Sequence, residues 1–200
     1  MSVPETAGRQ TGGGGMFEFA ETAIPGCIEL RPKVLEDARG RFVKVFHRDA
    51  FAAAGLATDY AEEYYSSSRR GVIRGLHFQL PPWAHAKLVY CVEGQVQDVA
   101  VDLRACSPSQ GKHALVELSA EAGNMLYLPP GLAHGFCVLS ETATLVYKVT
   151  SVYSAAHDAG ILWNSAGIPW AEANPVLSER DRSHPSLADF VSPFVYGDST

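Results

Sequence analysis

Long apolar runs are missing from this chain: no stretch of its 200 residues approaches the ~20 apolar positions that a membrane-spanning helix needs. No membrane partner is therefore expected. The charged-then-apolar order of a secretory leader is absent from Met1–Gly15, so the expected location is the cytoplasm. Cations are outnumbered, with 16 Lys and Arg against 22 Asp and Glu and a formal net charge of −6. Binding to a nucleic acid backbone needs a clustered basic patch, so nucleic acid is not an expected partner, whereas a small anionic substrate is compatible. The four cysteines, Cys27, Cys91, Cys106 and Cys137, form no Cys-x-x-Cys pair. In a reducing compartment they read as ordinary thiols. Helical periodicity is almost absent as well.

With 46% hydrophobic and 19% charged residues, the composition is that of a globular chain long enough to bury a core. Residues 1–15, ending in four glycines, offer nothing to pack and read as a flexible tail, leaving 16–200 as one domain with a loop-rich end. Segments rich in β-branched and aromatic residues, bounded by Gly, Pro and Asp, predict strands at Cys27–Leu30, Phe42–Phe46, Val72–Phe78, Ala86–Val92 and Gly94–Leu103. Further strands are expected at His113–Leu118, Asn124–Leu128, Ala133–Leu139 and Ala143–Val152, with turns at Glu93-Gly94 and Pro129-Pro130-Gly131. Two short helices are expected, at Asp49–Ala54, capped by Asp49 and ended by Gly55, and near Ser178–Arg182. The whole reads as an all-β sandwich or barrel with short peripheral helices.

The stretch Gly71–Gln79 carries Arg74 and His77, a cation suited to phosphate and an imidazole suited to proton transfer, expected on one face of one strand. His77, His85 and His134 lack the close pair and trailing carboxylate of a barrel metal site, so no metal is expected. His77, Lys87, His134 and Tyr147 instead suit proton abstraction beside a carbonyl: an imidazole takes the proton, an ammonium steadies the enolate, and a phenol returns a proton. Lys87 within an apolar strand is hard to explain without a partner or a task.

The order of short motifs along the chain adds a resemblance. They are Pro32-Lys33-Val34 with Asp37 and Arg39-Gly40, Arg74-Gly75-Leu76-His77-Phe78-Gln79, Lys87-Leu88-Val89, Asp98 to Arg104 and Ser107-Pro108. They continue with Leu118-Ser119-Ala120-Glu121, Pro129 to Phe136, Tyr147-Lys148, Trp163-Asn164 and Leu177-Ser178-Glu179-Arg180-Asp181. The chain resembles the dTDP-4-dehydrorhamnose 3,5-epimerase family from about Pro25 to Asp181. The resemblance implies a cupin-type jelly roll, no metal and no cofactor, and inversion of C3, C5 or both in a nucleotide-linked 4-keto-6-deoxy sugar.

Carried over by residue, it implies that His77 is the base, Asp181 its orienting partner and Tyr147 the acid, and that Lys87, catalytic by the enolate reading above, contacts the sugar. His134 contacts the sugar, Asp158 is an acidic substrate contact, and Arg39, Arg74 and Arg180 face the pyrophosphate or nucleotide. It also implies a homodimer in which N-terminal strands cross, so that Arg39 or the Glu62–Tyr64 segment completes the partner's site. Where the family reads Gln-Asp-Asn-His, this chain has Glu62-Glu63-Tyr64-Tyr65, and Lys44 stands where glutamate is usual. In the family those positions lie toward the nucleotide, and the changes resemble the branch acting on GDP-linked 4-keto-6-deoxy heptoses. A ketoisomerase of similar fold and a sugar-binding cupin without turnover are the alternatives.

Overall fold

The computed structural model describes residues 15–197. Of the tail read from sequence, residues 1–14 lie outside that range. Two antiparallel sheets form the body, joined by a small hairpin and two short helices. The first sheet has β1 (Phe17–Glu21), β2 (Ile28–Pro32), β5 (Glu62–Arg69), β7 (Lys87–Glu93), β10 (Met125–Leu128) and β12 (Thr142–Val149), ordered β1-β2-β10-β7-β12-β5. The second has β6 (Ile73–Gln79), β8 (Gln95–Asp102), β9 (His113–Ser119), β11 (Leu132–Val138) and β13 (Asp158–Gly160), ordered β13-β6-β11-β8-β9. β3 (Val34–Asp37) and β4 (Gly40–Val43) pair with each other. This is the expected jelly roll.

Strand alternation sorts the side chains. On β7, Val89 and Cys91 enter the core between the sheets, while Leu88 and Tyr90 face outward into a second cluster. β12 repeats this, with Leu145 and Tyr147 inward and Val146 outward. The outward face of the first sheet is covered by Phe51 of α1 (Arg48–Ala53), a helix too short to persist in water without that burial. The outward face of the second sheet, with Val99 and Val101, is covered by the C-terminal segment through Ile161, Ile168 and Phe194.

Most expected strands are present with bounds shifted by one to three residues. The segment Phe42–Phe46 differs: its strand is Gly40–Val43, the return arm of the hairpin. α1 begins one residue early and is capped by His47, whose Nδ1 accepts from Ala50 N, with Asp49 inside the first turn. Gly55 follows at φ +72, as its stop requires. Gly94 takes φ +75, and a Cβ there would lie 2.0 Å from the Thr142 carbonyl oxygen. α2 (Glu179–Ser183) is capped by the Ser178 hydroxyl, which accepts from Asp181 N.

Arg74 and His77 do share one cavity, but strand alternation is not the reason: a separation of three places side chains on opposite faces. His77 pairs with His134 and Arg74 with Phe136, so β6 spends one more residue than β11 over this interval. The bulge turns Arg74 back to the face of His77. It needs glycine on both strands, since a Cβ on Gly75 would lie 2.5 Å from Gly135 Cα.

Candidate active site

At one end of the sandwich the sheets part around a cavity of about 370 Å3. Its walls carry Glu62, Tyr64, Arg74, His77, Lys87, His134, Tyr147, Asp158 and Arg180. β6 and β11 bring His77 and His134 from one sheet, and β7 and β12 bring Lys87 and Tyr147 from the other. The imidazoles and the lysine–tyrosine pair therefore reach the cavity from opposite sides.

Behind His77, its Nε2 lies 2.7 Å from Asp181 Oδ1. A carboxylate accepts, so Nε2 carries the hydrogen and Nδ1 keeps its lone pair. Burial lowers the His77 pKa, and Asp181 only partly offsets this, so the ring is neutral and basic at neutral pH. Burial raises the Asp181 carboxyl, but hydrogen bonds from His77 and Gly75 N hold it below its ordinary value. Asp181 is 3% exposed, which fits a permanent partner of the ring rather than a solvated tail residue.

Burial pushes the Lys87 pKa down to about 8, with Asp158 and Asp98 resisting. Its Nζ donates to the His77 carbonyl oxygen at 3.2 Å. The Tyr147 hydroxyl lies 3.0 Å from Ser66 Oγ, and burial raises its pKa, so the phenol stays protonated. Tyr64 stacks on it at 4.9 Å between ring centroids and 18° between planes. A second imidazole–carboxylate pair joins His134 Nε2 to both oxygens of Asp98 at 3.0 Å. Burial raises Asp98 against the pull of His134. At the rim, Arg180 binds Asp158 at 2.7 Å, and Tyr153 donates to the same carboxylate.

Besides Asp181, which backs His77 without lining the cavity, three sequence candidates stand outside it. Arg39 binds Asp37 at the tip of the β3–β4 hairpin with its side chain 90% exposed, and Lys44 follows the same hairpin. Glu63 points outward between Glu62 and Tyr64 and pairs with Lys148, which alternation also turns away from the cavity. Sequence reading missed Asp98, Ser66 and Tyr153 as site residues. Asp98 alone left a trace, as a carboxylate just before the apolar run Val99–Val101.

The dTDP-4-dehydrorhamnose 3,5-epimerase family profile matches residues 21–189. A dTDP-4-dehydrorhamnose 3,5-epimerase of Shigella flexneri is 45% identical over 172 residues, covering 84% of this chain and 95% of that protein. A dTDP-4-dehydrorhamnose 3-epimerase of Streptomyces niveus is 40% identical over 169 residues, covering 83% and 82%. Among solved structures, the 4-keto-6-deoxy sugar epimerase NovW of Streptomyces spheroides superposes with a TM-score of 0.84 at 38% identity, covering 88% of this chain and 89% of its own.

Proposed function

The chain belongs to the dTDP-4-dehydrorhamnose 3,5-epimerase family, and from that premise we propose how its cavity inverts carbon beside the C4 ketone of a nucleotide-linked 4-keto-6-deoxy sugar. His77 Nδ1 removes the proton. The C–H electron pair becomes a carbon–carbon π bond, and the carbonyl π pair moves onto the ketone oxygen as an enolate. The Lys87 ammonium, itself buried, steadies that charge, with His134, fixed by Asp98, contacting the sugar. Tyr147 then delivers its proton to the opposite face of the same carbon. The phenol regains a proton and His77 loses one to solvent, which resets the site. The observation that carries this reading is the placement of His77 and Tyr147 on facing sheets across one cavity.

Arg74 and Arg180 suit the diphosphate. We take the protein to work in the cytoplasm as a homodimer whose β3–β4 hairpin, with Arg39, reaches the partner's cavity. Among the described residues that hairpin pairs with no other strand, and it exposes Leu35 at 51% and Phe42 at 60%. Light scattering behind size exclusion is expected to give a dimer, and a monomer overturns that arrangement. At the nucleotide end, the Glu62 carboxylate suits a base edge with two donors, as guanine has, better than thymine's single donor between two acceptors. GDP-linked substrate is therefore expected to outperform dTDP-linked substrate, and Glu62→Gln to narrow the gap. Equal preference in both proteins removes Glu62 from base selection.

The reaction is tested in deuterated water. Wild type is expected to place solvent deuterium at C3, C5 or both, and His77→Asn to place none. Normal exchange in the variant overturns the assignment. A carbonyl found at C3 by NMR would indicate ketoisomerisation, and saturable binding without exchange would indicate a binding protein.

A further inference from the structure

The reaction proposed above gives no task to His184, which caps the C-terminus of α2 and does not line the cavity. Its ring nevertheless packs edge-on against His77, with centroids 5.7 Å apart and planes at 71°. Its Nε2 is buried with no hydrogen-bond partner. A buried ring nitrogen left unpaired is unfavourable unless something else binds there. One nitrogen from each of His77 and His184 and one oxygen from Asp181 all lie within 4.8 Å of one another.

The geometry points to a binding site for one late first-row divalent cation, such as zinc or nickel, formed by His77, Asp181 and His184, whose occupation shuts the enzyme off. Asp181 and His184 are three residues apart on one turn, so α2 presents them side by side. β6 brings His77 to complete a set of two imidazoles and one carboxylate, a donor combination that suits zinc, nickel, cobalt or ferrous iron and does not favour magnesium or calcium. Ligands at about 2 Å from a tetrahedral ion stand about 3.3 Å apart. The 2.7 Å His77–Asp181 contact has to open slightly and His184 to move inward, a shift that a five-residue helix near the chain's end can make as a unit.

Occupation would silence the base by moving a proton. With the ion on Nε2, a neutral ring carries its one hydrogen on Nδ1, which then faces the sugar as a donor and cannot accept. The proton that joined His77 to Asp181 is transferred through solvent to Nδ1, and nothing is oxidised or reduced. Inhibition would therefore follow from the same pairing that orients the base for turnover. This rests on His77 being the base, and its consequence for activity stands or falls with that assignment.

Chelator-treated full-length protein is titrated with Zn2+ and with Ni2+ against a chromophoric chelator, and solvent-deuterium exchange is followed in parallel. Wild type is expected to bind one ion per chain and to lose at least about tenfold in exchange rate, while Mg2+ has no effect. His184→Phe, which keeps an aromatic ring against His77, and His184→Ala are both expected to keep the metal-free exchange rate within about twofold. Both are also expected to bind the ions about tenfold more weakly or worse and to escape inhibition. Absence of one-ion binding in wild type, or equal binding and inhibition in both His184 variants, overturns the site. Inhibition by Mg2+ equal to that by Zn2+ does the same. One-ion binding through His184 in a protein without any proton exchange counts against the proposed reaction and leaves the site standing.

Discussion

Lys87 holds its ammonium 3.2 Å from the His77 carbonyl oxygen, at the floor of the cavity and 8% exposed. The contact fixes the lysine beside the base but leaves its charge short of partners, which is why burial drives its pKa from 10.5 down to about 8. A lysine whose folded pKa is depressed binds its proton less readily folded than unfolded, so stability rises as pH climbs from about 8 to 10.5. Below that window the charged form destabilises the fold by up to ~3 kcal/mol.

Lys87→Met is expected to remove that burden and the enolate's counter-charge together. At pH 7 the variant should melt higher than wild type while exchange falls at least about a hundredfold. Wild-type turnover should decline as pH rises past about 8, where Lys87 loses its charge. Thermal melts and a pH series of exchange rates check both, and a variant that is less stable and fully active contradicts both.

In the proposed reaction Asp181 acts through His77, so its removal is expected to leave substrate affinity largely alone. Asp181→Asn lacks the charge that fixes the Nε2–H tautomer, and a lost tautomer costs about a hundredfold or more in kcat. KM should move far less, and Asp181→Glu should recover part of the rate. A loss in KM alone would make Asp181 a substrate contact.

Gly75 tests whether the bulge aligns the site. With φ at +133 and Gly135 Cα 2.5 Å from any added Cβ, Gly75→Ala has no relaxed conformation. A destabilisation above about 2 kcal/mol is expected, together with loss of exchange in whatever protein stays folded, because Arg74 and His77 would no longer share a face. Denaturant melts and exchange assays read the two effects separately.

What could be read from the chain, and what could not, divides along the same lines. Segments rich in β-branched and aromatic residues between Gly, Pro and Asp made the strands legible, and a lysine or tyrosine inside such an apolar run, as at Lys87 and Tyr147, is a local signal. Asp181 carried no such signal: its partner His77 lies 104 positions away, and only the motif resemblance singled it out. Asp98 did leave a local trace, but its imidazole partner lies 36 positions away on another strand, so the pair could not be read from it. Alternation along one strand puts residues three apart on opposite faces, and the shared face of Arg74 and His77 comes from a register shift that involves two strands at once. Arg39 sits at the tip of the β3–β4 hairpin and Lys44 just past its end, away from the cavity, so only the motif resemblance tied them to the site.

In the proposed reaction Tyr147 couples proton removal to inversion. Its ring is held on one side by Tyr64 and its hydroxyl by Ser66, so Tyr147→Phe should keep the ring in place and change stability by less than about 1.5 kcal/mol. His77 and Lys87 remain, so the enolate should still form and the abstracted proton should still exchange with solvent on its original face. Delivery to the opposite face should fall at least about a hundredfold. Reading deuterium and configuration at C3 and C5 separately by NMR then separates two chemistries. Exchange without inversion at both carbons means that Tyr147 serves both, and inversion surviving at one carbon means that a second donor serves that carbon. Unchanged inversion at both carbons takes Tyr147 out of the reaction and leaves it a core residue of β12.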